Sequence, residues 1–410
     1  MNSMTASQSE LRNHYGETAR RQRVLAASRQ VDPFLAMDVL KAANNREASG
    51  QATYHLEVGQ PGAPVAPAIR QAAETLLADG LVGYTEANGT GKLRGRIAAH
   101  YQDHYGLLVD PARIVVTTGS SAAFSLAFLL TCDPGDRVGL PRPGYPAYRN
   151  IVRALGLEPV EIALEAEDDW LLTSSSVLEH HRNAPLKCLL MASPNNPTGS
   201  TMPADRLGDL VATCAHEGIW FLSDEIYHGL IYKGDETCAL VHDSDAIIIN
   251  SFSKYYGMTG WRIGWMIVPE HMVRRTEALA QNLFICPPAI AQAAAIGAFE
   301  ATSYLDTLKA GYARNRVRLL ETSNRLALTG GPSPDGAFYV YWPVRNLLRP
   351  GETASALCQS LLTETGVAIT PGDDFDPVRG HEWVRVSYAG REDDIAVAAE
   401  LMEGWFSQRA

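Results

Sequence analysis

Lys254 stands in the stretch SFSKYYGMTGWRIGW, directly after the apolar run AIIIN, and the other lysines are only Lys41, Lys92, Lys187, Lys233 and Lys309. A lysine that follows a buried strand is either a snorkelling surface group or an amine wanted for its chemistry. The ends of the other apolar runs decide between these. RIVVTT (113–118) leads into Gly119-Ser120-Ser121, and DRVGL (136–140) into PRPGYPAY with Tyr145. KCLLMAS (187–193) leads into SPNNPTG with Asn196, and IWFLS (219–223) into Asp224-Glu225-Ile226-Tyr227. One such ending is ordinary turn chemistry. Five of them, each carrying a different reactive or recognition group, describe a single crevice at the carboxyl ends of strands, where open α/β sheets bind their ligands.

The groups together select a ligand. A helix beginning Gly-Ser-Ser offers backbone N–H groups and a positive dipole end, which suits a phosphate. Ser251 and Arg262 flank Lys254 and could complete the phosphate's partners, the arginine with two donors. Taken singly, Asp224 could pair a lysine or hold a protonated ring nitrogen. Tyr145 could stack on a planar ligand or edge a core. As a set they fit pyridoxal 5′-phosphate: Lys254 forming the Schiff base, Asp224 pairing the pyridinium nitrogen, Asn196 and Tyr227 bonding the phenolic oxygen. The cofactor is the electron sink and the protein orients and tunes it.

SFSKYYGMTGWRIGW, SPNNPTG, SDEIY and PGYPAY resemble the aminotransferase class I/II family, fold type I of the pyridoxal-phosphate enzymes, from about Leu56 to the C-terminus. The resemblance implies the roles just given for Lys254, Asp224, Tyr227, Asn196 and Tyr145, and a phosphate cup of Ser120, Ser121, Ser251 and Arg262. It further implies that Tyr84, in GYTEANGTGKLR, reaches across a homodimer interface to the neighbour's phosphate. Arg385, in VRVSYAG, would grip the substrate α-carboxylate, with Asn196 beside it and the backbone of Gly59 over it. The implied activity is a ping-pong transfer of an amino group from an L-amino acid to a 2-oxo acid. In it the freed Lys254 amine carries the proton from substrate Cα. A C–S lyase and an aminocyclopropane-type synthase share these residues and remain alternatives; a cofactor-sensing regulator is a remoter one.

The substrate side chain is the least determined feature. Where many relatives read G-E-P-D-F, this chain reads Gly59-Gln60-Pro61-Gly62-Ala63, and QNLFICPPAIAQ is apolar where some carry polar residues. No arginine in the motifs is placed to pair a second carboxylate, so neutral aliphatic or aromatic donors are expected. Arg20, Arg21, Arg23, Arg29 and Arg46 could supply such a charge from the N-terminal segment.

The elements that must position these groups alternate. Short β-branched runs separated by helical patterns such as SAAFSLAFLL and RLGDLVATCAHEG argue a mostly parallel sheet covered on both faces. After residue 270 helical patterns dominate, followed by the strand-like GAFYVYWPV, GVAITPGDDF and WVRVSYAG. The fold class is therefore α/β, which the resemblance refines to a seven-stranded type of sheet plus a smaller α+β domain. The expected division is a large cofactor-binding domain over 50–290 and a small domain from 1–49 with 291–410. At 410 residues with 46% hydrophobic and 20% charged, the chain has the composition of a globular protein with room for both. Its net charge of −11 argues against nucleic acid or an anionic membrane surface as partner. No C-x-x-C pair occurs among Cys132, Cys188, Cys214, Cys238, Cys286 and Cys358, and the polar N-terminus lacks a signal h-region, so reduced thiols, no metal and a cytoplasmic location are expected.

Overall fold

The computed structural model describes residues 31–409. Arg20, Arg21, Arg23 and Arg29, and the helical reading of the first thirty residues, lie outside them. The described chain opens with helix α1 (Leu35–Ala48), strand β1 (Tyr54–His55), α2 (Pro67–Ala78) and α3 (Gly91–Tyr105). An alternating stretch follows: β2 (Ile114–Thr117), α4 (Ser120–Thr131), β3 (Arg137–Arg142), α5 (Pro146–Ala154), β4 (Glu158–Ala163) and α6 (Ser174–Asn183). It continues with β5 (Cys188–Ala192), α7 (Ala204–Glu217), β6 (Trp220–Asp224), β7 (Ile247–Ser251) and β8 (Gly264–Ile267). Three helices come next, α8 (Val273–Leu283), α9 (Ala289–Ala298) and the long α10 (Thr302–Arg325). The last part holds β9 (Tyr339–Pro343), α11 (Ala354–Thr365), β10 (Val367–Ala368), β11 (Thr370–Pro371), β12 (Trp383–Ser387) and α12 (Glu392–Ser407).

Strands β2 to β8 form a seven-stranded sheet in the order β2-β8-β7-β6-β5-β3-β4. All its pairings are parallel except those of β8, which runs antiparallel to both neighbours. The central strands are buried along their whole length, as β5 (CLLMA) and β7 (IIINS) are. A sheet covered on both faces removes the need for polar alternation, which is why these strands read as continuous apolar runs. Successive residues feed opposite cores: Leu189, Met191 and Ile248 pack on one side, Leu190, Ile247 and Ile249 on the other. Strand β4 was not among the apolar runs read from the sequence. It carries Glu158, Pro159 and Glu161 and lies at the sheet edge, where a strand tolerates proline and solvent-facing charge.

A separate core gathers β9, β12, α11, α12 and the second half of α10, together with Leu56, Ile226, Tyr227 and Leu230. Helix α9 and the start of α10 instead pack with the sheet, through Ala291, Ala294, Ala295, Ala298 and Leu305. Strand β1 pairs in parallel with β10, so the segment entering from α1 is tied to the C-terminal part of the chain. All six cysteines are unpaired, and Cys188, Cys214, Cys238 and Cys358 are buried. Among the described residues no helix is long and apolar enough to cross a membrane, and no cluster of His, Cys, Asp or Glu could hold a metal.

The closest approach in the sheet lies at Gly264, which pairs with both Ser251 of β7 and Thr117 of β2. A Cβ there would stand 2.8 Å from the Asn250 carbonyl oxygen and 3.2 Å from the Gly119 carbonyl carbon. Backbone cannot yield as a flexible side chain can. Gly264→Ala is therefore expected to cost about 1–3 kcal/mol of stability, the usual range for overpacking. Chemical denaturation should show a lowered midpoint; an unchanged one would mean that the three strands can part without penalty.

Candidate active site

The strand ends converge on a cavity of about 290 Å³. Its lining includes Gly59, Ser120, Ser121, Tyr145, Asn196, Asp224, Tyr227, Lys254, Arg262 and Arg385. Asp224 ends β6, Lys254 follows β7, Tyr145 immediately precedes α5, and Ser120 begins α4. Asn196 comes from the loop after β5 and Arg385 from the middle of β12. Because Ile226 and Tyr227 pack with Phe338 and Tyr339, the cavity lies where the sheet meets the C-terminal core.

At one end of the cavity an anion site is built from backbone. Gly119 precedes α4 with φ +81°, and among the described residues no side chain caps the helix, leaving its first N–H groups free of intrahelical partners. The glycine is required twice, by its left-handed backbone and because a Cβ would run into the Arg262 guanidinium. Arg262 itself adopts φ +52°, an uncommon conformation for a residue with a side chain, and donates from Nη1 to Thr259 O at 3.1 Å. A helix N-terminus facing a guanidinium with serine hydroxyls between them suits a phosphate dianion.

At the centre Asp224 is buried. It accepts a short hydrogen bond from the Tyr148 hydroxyl and one from Ile226 N at 3.1 Å. Burial outweighs these bonds and raises its carboxyl to about 6, which marks a carboxylate in want of a cation. Lys254 shows the opposite shift. Burial, then the charges of Arg385 and Arg262, pull its amine down to about 7 against the opposing pull of Asp224. Its Nζ donates to the Gly59 carbonyl at 2.7 Å. Gly59 can come so close because it has no side chain: a Cβ would collide with the Tyr339 hydroxyl. That hydroxyl in turn meets the Tyr227 hydroxyl at 2.7 Å.

At the far end Arg385 is buried between the rings of Tyr339 and Phe375, 4.4 and 4.6 Å from their centroids. Its Nη1 donates to Asn196 Oδ1 at 3.0 Å and its Nη2 to Glu57 O, while Nε has no partner among the described residues. A fixed, buried and incompletely bonded guanidinium has the geometry to receive a carboxylate.

Two expected residues stand apart. Ser251 does not line the cavity: its hydroxyl donates to Ile263 O at 3.0 Å and contacts Ser253 Oγ at 2.9 Å, and Ser253 lines it in place of Ser251, with Ser120 and Ser121. Tyr84 is 84% exposed and also outside the lining. QNLFICPPAIAQ contributes nothing to the cavity; Leu283, Phe284 and Ile285 are exposed instead. Several lining residues escaped the sequence reading. Tyr148 had a signal, as the second tyrosine of PGYPAY, one helical turn from Tyr145 and so on its face of α5. Phe34, Met37, Leu40, Phe124 and Tyr339 had none, since each reaches the cavity through tertiary packing alone.

Residues 53–401 match the family model for aminotransferase class I and II. Valine–pyruvate aminotransferase of Mycobacterium tuberculosis is 43% identical over 379 residues, spanning 92% of this chain and 96% of that protein. Aspartate aminotransferase of Sulfurisphaera tokodaii is 32% identical over 84% of this chain and 88% of that one. Among solved structures, an aminotransferase from Mycobacterium tuberculosis superposes with TM-score 0.91 at 41% identity, covering 94% of this chain and all of that one. Aspartate aminotransferase from Thermus thermophilus with maleate superposes with TM-score 0.85 at 30% identity, covering 93% and 100%.

The depressed pKa of Lys254 has a direct consequence in the cofactor-free protein. Modification by a small acylating reagent should be half-maximal near pH 7 at Lys254, whereas an ordinary lysine titrates near 10.5. Asp224 favours the charged amine, so Asp224→Asn should move that midpoint lower still. The same shift fixes a sign for stability. Between pH 7 and 10.5 the unfolded lysine holds a proton that the folded one has released, so this residue's contribution makes stability rise with pH across that window. A midpoint near 10 at Lys254, read by mass spectrometry of the modified peptide, would remove the argument.

Proposed function

The chain belongs to the aminotransferase class I and II family, and from that premise we propose a pyridoxal 5′-phosphate enzyme that moves the amino group of a neutral, aliphatic L-amino acid to a 2-oxo acid. The observation that carries the reading is the opposed pair of shifts, an amine drawn down to about 7 and a carboxyl pushed up to about 6 in one buried cavity. The lyase, synthase and regulator alternatives are not favoured by the relatives, which are aminotransferases.

The residues fit the cofactor. The uncapped start of α4 and Arg262 suit its phosphate, Lys254 its aldehyde, and the cation-lacking Asp224 its ring nitrogen. Tyr227 and Asn196 would take its phenolic oxygen and Tyr145 its ring face. Ser251 would act through Ser253, whose backbone N–H donates to its hydroxyl at 3.1 Å. When bound, the cofactor supplies a sink for the electrons left on substrate Cα when its proton departs.

The chain's own residues do the rest. Lys254, poised near neutrality, takes the Cα proton and returns it. Asp224, locked by Tyr148, keeps a proton on its partner nitrogen and so stabilises the charge that develops. Arg385 holds the substrate carboxylate in a fixed plane, which sets which Cα bond faces the lysine. Among the described residues the only cations lining the cavity are Lys254, Arg262 and Arg385, each already engaged in these roles. Arg46, the described member of the N-terminal arginines, bonds instead to Ala52 O and Thr363 O. A second substrate carboxylate would meet the apolar Phe34, Met37, Leu40 and Val58 without a cation to pair it, which disfavours it there. The relative named for valine and pyruvate agrees with a neutral donor.

We further propose a homodimer. Leu81, Val82, Tyr84, Leu283, Phe284 and Ile285 are exposed on segments joined by Gln292, which bonds Thr85 Oγ1 at 2.9 Å and Thr90 N at 2.7 Å. Ile285, a β-branched residue, adopts φ +66°, a strained conformation that a partner's contact would hold. Covering this patch would bring Tyr84 of one copy toward the other's site. The junction between the sheet unit and the smaller unit falls, in this reading, within α10, whose start packs with the first. A cytoplasmic location accords with six unpaired thiols.

A screen of L-amino acids, read by the cofactor's absorbance change, should rank neutral aliphatic donors above aspartate and glutamate; aspartate as the best donor would refute the pocket assignment. Arg385→Lys should raise KM for every donor, because a point charge cannot reproduce the two-pronged contact. Tyr84→Ala and Lys254→Ala, each inactive or nearly so, should regain activity when mixed under conditions of subunit exchange. Recovery that fails despite proven exchange means that each site is built from one chain.

A further inference from the structure

Helix α1 supplies the apolar side of the cavity through Phe34, Ala36, Met37 and Leu40, yet it carries no cap of its own at its N-terminus. The cap comes from the other end of the chain. The buried carboxylate of Asp374 accepts from Leu35 N at 3.1 Å and from Ala36 N at 3.0 Å, one oxygen to each. Two backbone donors and the positive helix end are thereby satisfied by one side chain.

Asp374 is itself anchored to the substrate-recognition apparatus. Arg149 Nη2 of α5 donates to its carbonyl at 2.7 Å, and Gly144 N, beside Tyr145, donates to the carbonyl of Phe375 at 3.1 Å. Phe375, next in sequence, is one of the two rings that sandwich Arg385. The approach to α1 is pinned to the same α5 helix, Arg153 Nη1 bonding Asp32 Oδ2 at 2.6 Å and Asn150 Nδ2 bonding Asp32 O at 3.2 Å. A single turn thus touches both the carboxylate-gripping arginine and the helix that faces the substrate side chain.

We propose that Asp374 is a specificity-positioning residue: its clasp on Leu35 and Ala36 holds the Phe34–Met37–Leu40 wall against the cavity, and this wall selects branched aliphatic donors over shorter ones. The proposal rests on the neutral-donor reading above and deepens it. Asp374 touches neither the reacting atoms nor the substrate and acts through α1. A residue that merely stabilised the fold would depress all donors alike; this one changes their order.

The test uses full-length holoenzyme, with L-valine, L-alanine and L-aspartate as donors. Wild type is expected to favour valine; if aspartate wins, the neutral-donor reading fails before any variant is made. In Asp374→Ala the ratio of kcat/KM for valine over alanine should fall about ten-fold, the size set by no longer enclosing the two extra carbons of valine, mainly through KM for valine. Asp374→Asn, which offers one uncharged acceptor, should lose less. Amide exchange at Leu35 and Ala36 should quicken in both variants. Should Asp374→Ala not fold, the double variant Met37→Ala with Leu40→Ala removes the wall at partly exposed positions and should lower the same ratio. Faster exchange with the valine preference intact, or unchanged exchange at these amides, would overturn the role of Asp374 while leaving the aminotransferase reading in place.

Discussion

The site depends on keeping a primary amine dry and ready to release its proton near pH 7 beside two guanidinium groups. Lys254 is buried, and Arg385 and Arg262 each add a repulsion that favours the neutral form. Such a cluster of cations in a cleft is costly unless anions arrive to meet them. Among the described residues the only lining anion is Asp224, itself pushed up to about 6 and tied to Tyr148. The cavity is therefore electrostatically unfinished. Its arginines call for two anionic groups at opposite ends and its carboxylate for a cation between them. In the proposed reading a dianionic phosphate, a protonated ring and a substrate carboxylate would supply these charges in that order.

Bringing charges of like sign this close demands backbone that gives way. Gly119 lets the Arg262 guanidinium rest on the turn before α4, Gly264 lets three strands meet, and Gly59 lets a carbonyl oxygen reach the Lys254 amine. Each glycine removes one methyl-sized obstacle, and each lies where a strand or loop from a different part of the chain arrives. The sheet topology makes this possible: β8 turns antiparallel between β2 and β7, so the arginine preceding it points back to the strand ends that the parallel members share. The same topology explains why the pocket is precise without long-range ordering of side chains. Asp224 ends a buried strand, and Asn196 and Lys254 come from short segments after buried strands, all with fixed registers.

How much of this was readable in the sequence follows from where each interaction originates. Strands buried on both faces announce themselves as apolar runs, and the polar residue ending each run needs no tertiary information to be noticed. This made Ser120, Tyr145, Asn196, Asp224 and Lys254 visible, and the motifs then pointed to Arg262, Gly59 and Arg385. The edge strand β4 was hidden by its own chemistry, since Pro159 and two glutamates erase the apolar signal. Ser251 shows a limit of a different kind: spacing located the residue, but its hydroxyl is consumed by Ile263 O. QNLFICPPAIAQ lies outside the cavity, with Leu283, Phe284 and Ile285 exposed, because an apolar run does not itself say which surface it faces. The wall of α1 was invisible for the plainest reason. Its anchor, Asp374, is more than 330 residues away along the chain.

That last contact also bears on how the two ends of a substrate are read together. Arg385 is rigid: it is sandwiched between two rings and bonded to Asn196 and Glu57. A carboxylate held there fixes Cα in space, and the side chain must then occupy whatever volume α1 leaves. Were α1 free to drift, that volume would vary and a branched side chain would gain little over a methyl group, since each buried CH₂ contributes roughly 0.8 kcal/mol only when it is fully enclosed. Because Phe375 and Asp374 are consecutive, the ring that steadies the carboxylate receptor and the carboxylate that steadies the wall are separated by a single peptide unit. Grip and wall are thereby referred to one short turn, by ring packing at Phe375 on one side and two hydrogen bonds from α1 to Asp374 on the other.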